Sequence, residues 1–388
     1  MYTIGVLVNV KGKFITFKQI RQVFLLSLFN QPNPIPMTLH KLLMSLALFV
    51  SLSCWAQEER LLYVADDQGY VNIYDINNGH RLVRKFEVPG TGEYKGISAD
   101  AKRGKLYLSS YVGDQFVCVD LKTEKIDWSL PIDGYPDSQA MTPDGKFIYL
   151  PKRHGRGWDV IDADLKKIVA FVPVPYGNPH NTWCSQDGSK MYLAALGNEN
   201  LYIADVKTHK IIKTVGPFQP NPDDPWGWTQ KKHNGPKGIR PFAVTADEKY
   251  CYVNLDGVLG YEIGNMETGE RIGRVEVQGY EKLRGNHLTT SHGVNIRPDQ
   301  QEIWVSNDAG PYVHVYDCTV TPHQKIADIQ LNRKNGWISF SIDGKYCYPS
   351  SGDVIDTQTK AVVAELIESE KLLEIQFQDG EPVKVGTR

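Results

Sequence analysis

Histidines are the side chains of this chain best suited to chemistry near neutral pH, since imidazole titrates there and its neutral form ligates metals. Two share a local setting, in Pro179-His180-Asn181 and Ser291-His292-Gly293. Each stands twelve residues before an aromatic (Tyr192, Trp304) flanked by apolar residues. The same count before comparable aromatics reaches Lys95, Asp137, Arg240 and Gly336. One periodic position thus carries ammonium, carboxylate, imidazole and guanidinium in turn, a mixture suited to polar recognition or acid–base work. A purely structural ring would be served as well by Ser, Gly or Thr. His180 and His292 are the pair that would hold a divalent metal, the cofactor to consider here. A metal usually needs three or four donors; His154, His233 and His287 are the others on offer, and no His-Glu-x-x-His spacing occurs.

The aromatics that end this count belong to a repeat. Apolar-aromatic-apolar triplets are centred on Tyr63, Tyr107, Tyr149, Tyr192, Tyr252, Trp304 and Tyr348, with steps of 44, 42, 43, 60, 52 and 44 residues. An aspartate follows thirteen residues later in Asp120, Asp162, Asp205 and Asp317, and twelve later in Asp75; Glu262 and Asp356 come sooner. Turn residues such as Asn77-Asn78-Gly79 come next, then another alternating segment. Asp144-Gly145, Asp187-Gly188 and Asp343-Gly344 precede their anchors. Four short strands with turn chemistry between them make one antiparallel sheet, and seven such units of about 47 residues match propeller blades. The spacing predicts an all-β, seven-bladed β-propeller. The first unit lacks an inner strand, whereas Leu373 to Gly380 reads as an inner strand and turn with no anchor after it. The C-terminal strand is expected to complete the first blade and remove the ring's open edges. Matching Asp379 to Asp144 assigns Leu372 to the periodic position of that blade.

With these motifs the chain resembles the YVTN-repeat seven-bladed β-propellers, a largely exported bacterial group. The resemblance covers roughly residues 60–385 and rests on the Tyr-anchored strands, the aspartate-ended third strands and the Asp-Gly turns. Tyr252-Val253-Asn254 comes nearest the string that names the family. It implies a fold and says little of activity, since propellers host many.

In such a blade the inner strand starts at the face formed by the connections between blades. The two long steps place insertions there: 216–238, with Trp226, Trp228, Lys231, Lys232 and His233, and 279–291, with Lys282, Arg284 and His287. The turn containing Arg153, His154 and Arg156 is expected on the same face. Binding residues concentrate on loops held by rigid scaffolds. Lys95, Arg153, Arg156, Arg240 and the insertion bases outnumber Asp137, Asp223, Asp224 and Glu281, which suggests an anionic ligand. Acids on other loops of this face, including Asp114, Asp256 and Asp308, confine the excess to some sectors. Cys-x-x-Cys-His, a Walker loop and a Gly-x-Ser-x-Gly elbow are absent from the sequence. Cys251 and Cys347 share an anchor register, so buried thiols are expected, not a disulfide framework.

Composition and the N-terminus set the context. The chain has 388 residues, 41% hydrophobic and 23% charged, as globular proteins do. Lys41 followed by the mostly apolar run from Leu42 to Ala56 reads as a signal peptide, too short to span a bilayer comfortably. Cleavage is expected after Ala56; a lipidated Cys54 is the weaker reading. The prolines Pro32, Pro34 and Pro36 lead to Met37, so residues 1–36 read as a disordered leader or gene-start artefact, 37–56 as signal and 57–388 as one propeller. Beyond residue 56 there are 38 bases and 45 acids, a net charge of -7, which gives no pull toward nucleic acid. The expectation is a secreted or periplasmic, monomeric binding protein for an anionic small molecule, glycan or protein partner. Lys95, Asp137, Arg153, His154, His180, Arg240, His292, Trp226 and Trp228 are its candidate site. The alternative is a metal-assisted hydrolase or lyase built on His180 and His292.

Overall fold

The apolar-aromatic-apolar triplets form the second strand of each sheet, where neighbouring sheets cover both faces. All seven anchor aromatics are buried, none more than 4% exposed. The third strands, such as Gln115–Asp120, are buried along their middles, whereas fourth strands such as Lys125–Pro131 lie largely exposed. A strand covered on both faces reads as a continuous apolar run, which is why the anchors stand out in the sequence. The structure, a computed structural model, describes residues 8–10, 13–15, 58–175, 177–219, 238–280 and 290–386. The backbone falls into two units, Met1–Ala56 and Gln57–Arg388. In the first, Val8–Val10 pairs with Lys13–Ile15. The second is a seven-bladed propeller without helix among its described residues. No helix of the described residues is long and apolar enough to cross a membrane.

Six sheets have four strands, each in sequence order, and the first has five. There Glu58–Ala65 pairs with Lys371–Gln378, so the C-terminal strand completes blade one as expected. Glu381–Val385 then pairs with that strand on its other side, a fifth strand that the repeat did not foretell. An ion-pair cluster locks the closure. The Arg60 guanidinium donates to Glu374 at 2.7 and 3.1 Å and to Asp343 of blade seven at 2.7 Å, with the Glu374 side chain wholly buried. Hydrophobic clusters bridge neighbouring blades; one joins Tyr107 and Phe116 of blade two to Ile148, Leu150 and Ile161 of blade three.

The repeated aspartate has a local cause. Its carboxylate accepts from backbone N–H groups two and three residues on, holding the turn between third and fourth strands, as Asp120 does from Lys122 and Thr123. Blade five uses an asparagine: Asn265 accepts from Glu267 and Thr268 at 2.8 and 2.9 Å. Asn265 stands thirteen residues after Tyr252, so it, not Glu262, is the equivalent residue. Glu262 is instead buried between Arg271 and Arg274. In every blade the outer register then shifts by a bulge two residues before this Asp or Asn.

Candidate functional site

The periodic rim residues do not pair within their sheets. In blade two the register passes from Tyr94 to Gly96, skipping Lys95; in blade four it passes from Pro179 to Asn181, skipping His180. In blade five it jumps from Ile239 to Phe242, skipping Arg240. In blades three, six and seven the inner strands begin only at Ala140, Val294 and Ile338, so Asp137, His292 and Gly336 precede the ladder. Bulges and strand starts re-aim side chains, which frees these groups from the alternation that fills the core.

Register corrects the assignment for blade one. Each rim residue lies three positions before the partner of its anchor: Tyr149 faces Ala140, Tyr192 faces Trp183 and Tyr348 faces Ser339. Tyr63 faces Leu373, so the seventh position is Glu370, not Leu372. Leu372 is a core residue, 3% exposed. The inner strand of blade one runs eight residues, longer than those of the other blades, so counting back from its turn misplaces the rim.

Asp137, His180 and Arg153 form one network. His180 Nδ1 lies 2.9 Å from Asp137 Oδ2, and Arg153 Nη1 donates to the same oxygen at 3.1 Å. Tyr111 adds a longer contact at 3.4 Å. Burial would raise the Asp137 carboxyl, but His180 and Arg153 outweigh it and hold the group below the usual carboxylate range. Burial pushes His180 the other way, below its ordinary value, against the pull of Asp137. With His180 neutral, Arg153 carries the charge that balances the carboxylate. An ionised carboxylate only accepts, so Nδ1 donates to it when it carries the proton, while Arg153 Nη1, itself a donor, also lies 3.1 Å from Nδ1; Nε2 is bonded to neither. That Nε2 is buried and has no hydrogen-bond partner.

His292 repeats the arrangement with a backbone group. Its Nδ1 donates to the Gly336 carbonyl at 2.8 Å. A Cβ on Gly336 would meet His292 Nδ1 and Glu370 Oε1 at 3.3 Å, so glycine permits this approach. The two imidazole rings lie 5.9 Å apart between centroids. Beside His292 is a cavity of about 360 Å³, lined among others by Asp67, Lys95, Asp308, Lys334, Glu370 and Lys371. It does not reach His180.

The sequence-predicted residues divide accordingly. Asp137, Arg153, His180 and His292 come together. Arg240 pairs with Asp256 at 2.7 Å, both buried, close enough to His180 to disfavour its charge. Lys95 lies over the Tyr111 ring, 4.9 Å from its centroid, and His154 packs on Tyr135 at 4.4 Å. Trp226, Trp228, Lys231, Lys232, His233, Lys282, Arg284 and His287 lie outside the described residues. Glu370, Lys371, Tyr111 and Trp337 escaped the sequence reading; Lys371 pairs with Glu370 at 2.7 Å and lies over Trp337. Counting the closing strand from the partner of Tyr63 would have found Glu370; nothing in the repeat marks Tyr111. Much of the expected surplus of base belongs to the two insertions, Lys231, Lys232, Lys282 and Arg284, outside the described residues. Arg153, Arg240 and Lys371 all have carboxylate partners, and the cavity lining holds Lys95, Lys334 and Lys371 against Asp67, Asp308, Glu368 and Glu370. Among the described residues no three metal-ligating side chains converge. Cys118, Cys184 and Cys251 are free thiols that burial pushes up to about 12.

Fold and site together define a seven-bladed propeller with a polar channel mouth. No protein-family model matches the chain. Antigen Lp49 of Leptospira interrogans is similar at 22% identity over 278 residues, 67% of this chain and 55% of that protein, so the chain spans just over half the relative's length. Hydrazine synthase of Kuenenia stuttgartiensis superposes with a TM-score of 0.61 at 14% identity, over 80% of this chain and 93% of that one. Dihydro-heme d1 dehydrogenase NirN in complex with DHE gives 0.57 at 13%, over 84% and 72%. At such identities these two structures speak for the fold alone.

Proposed function

We propose that this chain is an exported propeller binding protein that takes a sugar acid, a small anionic molecule with hydroxyl donors, at the channel mouth. The mixed lining of the cavity beside His292 carries the reading. Lys95 and Lys334 suit a ligand carboxylate, while Asp67, Asp308 and Glu370 suit hydroxyl groups. A cavity of about 360 Å³ lies near the small end of ligand pockets, roughly 300–1,000 Å³. A lining with four acids and three lysines, Lys371 of which is paired with Glu370, would also discriminate against plain polyanions. Export rests on the segment Lys41 to Ala56 and is compatible with a relative named as an antigen. The Tyr-anchored repeat supports a place among the YVTN-repeat propellers. One copy supplies every blade, so the site asks for no second subunit.

Thermal shift against uronic acids, neutral sugars and dicarboxylates tests the reading. A sugar acid at a hundred times its Kd adds about 2.7 kcal/mol to the folded state. Lys95→Ala should weaken that shift. No response to any uronic acid, or a response unchanged in Lys95→Ala and Lys334→Ala, overturns the proposal.

A further inference from the structure

The cavity beside His292 is near the small end of ligand pockets, so it suits one sugar ring and not a chain. We propose that a second ring packs on Tyr135, outside the cavity, and that the ligand is an oligosaccharide whose terminal uronic acid enters the mouth. This rests on the reading of the mouth as a sugar acid site, and extends it from one subsite to two.

Three observations converge on Tyr135. The first is exposure in the right place. Its side chain is 39% exposed. Among the described residues the other exposed aromatics, Phe171 and Tyr250, lie in strands. Tyr135 stands instead in the connection between Lys125–Pro131 of blade two and Ala140–Met141 of blade three, at the mouth. The apolar C–H face of a pyranose packs on such a ring while its hydroxyls stay in water. The second is backbone strain. Tyr135 has a φ of 62°, in the left-handed region that bulky side chains rarely adopt. The other non-glycine residues found there are Asp, Asn, Glu, Gln, His or Lys. Glycine or asparagine would take this position more readily, so the tyrosine answers to something other than the turn. Its carbonyl accepts from the Arg153 N–H at 2.9 Å, and Pro136 bridges to Lys152, which holds the strained residue in place. Strain fixed in this way gathers at ligand sites. The third is continuity with the cavity. Lys95, in the cavity lining, lies over the Tyr111 ring, 4.9 Å from its centroid. Tyr111 in turn meets Tyr135 edge to face at 5.2 Å, and exposed His154 packs on Tyr135 at 4.4 Å. The steps from Lys95 to Tyr111 and on to Tyr135 are each comparable to the length of one pyranose residue. A ring one glycosidic bond beyond a carboxylate held near Lys95 therefore comes within reach of Tyr135.

The experiment is isothermal titration calorimetry of the full chain with galacturonic and glucuronic acids and with digalacturonic and diglucuronic acids. At least one disaccharide should bind about tenfold tighter than its own monosaccharide. Tyr135→Asn, whose backbone tolerates the left-handed region, should melt no lower than the parent, so that lost binding is not lost fold. It should remove the gain of the disaccharide and leave monosaccharide affinity within about twofold. Tyr135→Phe keeps the ring and should keep the gain. If a monosaccharide binds and neither disaccharide binds more tightly, the second subsite is refuted and the sugar acid reading stands. A gain that survives in Tyr135→Asn, or is lost equally in Tyr135→Phe and Tyr135→Asn, also refutes packing on this ring alone. Binding of no uronic acid, single or paired, removes the sugar acid reading itself and the second subsite with it.

Discussion

At His180 the two ring nitrogens have different fates. Nδ1 is tied to Asp137, and Nε2 has lost water without gaining a partner. Asp137 is the residue on which this depends, because its one oxygen serves His180, Arg153 and Tyr111. Asp137→Asn keeps the shape but removes the charge opposite Arg153. Arg153 remains partly exposed, so water recovers some of the loss, and the expected destabilisation is about 1–3 kcal/mol. Urea denaturation at pH 7 reads it; an unchanged midpoint would mean that the network contributes nothing. Legibility at this scale was uneven. Counting twelve residues back from an anchor reached Asp137, His180 and His292, yet it could not show that Arg240 is spent on Asp256. Pairing is a property of space, and Asp256 lies on a different strand connection.

At the scale of strands and turns, the Asx turn and the inter-blade histidines do most of the shaping. Asn265→Ala removes two turn hydrogen bonds and should cost about 1 kcal/mol, whereas Asn265→Asp should stay within about 0.5 kcal/mol of the parent. Equal losses from both would refute the turn's role. Three histidines reach tyrosines of the preceding blade: His80 to Tyr348 at 3.0 Å, His209 to Tyr149 at 2.6 Å and His323 to Tyr261 at 2.7 Å. Burial pushes all three below the ordinary histidine value, His80 to about 4, where Arg60 adds to the effect. The unfolded chain takes up a proton near pH 6.5 that folded His80 refuses, so protons favour the unfolded state. Stability is therefore full above about pH 6.5 and falls as pH drops toward 4. His80 contributes up to about 3 kcal/mol of that loss. Comparing melts at pH 7 and pH 4.5 with those of His80→Gln checks it; the variant should show a shallower acid slope.

The ring as a whole depends on one seam. Six blades are continuous in sequence, and the first is completed only when Lys371–Gln378 finds Glu58–Ala65. Arg60 spans the seam to Glu374 and reaches Asp343 in blade seven. Arg60→Ala leaves the buried Glu374 carboxylate without its counter-ion, at a cost of about 3–5 kcal/mol. Chemical denaturation should show that loss, and removal of residues 370–388 should abolish the single cooperative transition. If the truncated chain still unfolds in one sharp step, closure is not what holds the blades.

The sequence by itself determined the architecture: seven anchors buried between sheets, turn residues that bond locally, and complementary chain ends. These are short-range requirements, met by residue type and spacing, and they read out directly. Only the tertiary structure decided which charges stand next to which, that Glu370 and not Leu372 completes the rim, and that two imidazoles lie 5.9 Å apart with Nδ1 of each engaged. Those relations join residues 43, 44 or more than three hundred positions apart, as in His180 with Asp137, His292 with Gly336 and Arg60 with Glu374. No local pattern encodes such distances, because they arise only when neighbouring blades pack and the ring closes.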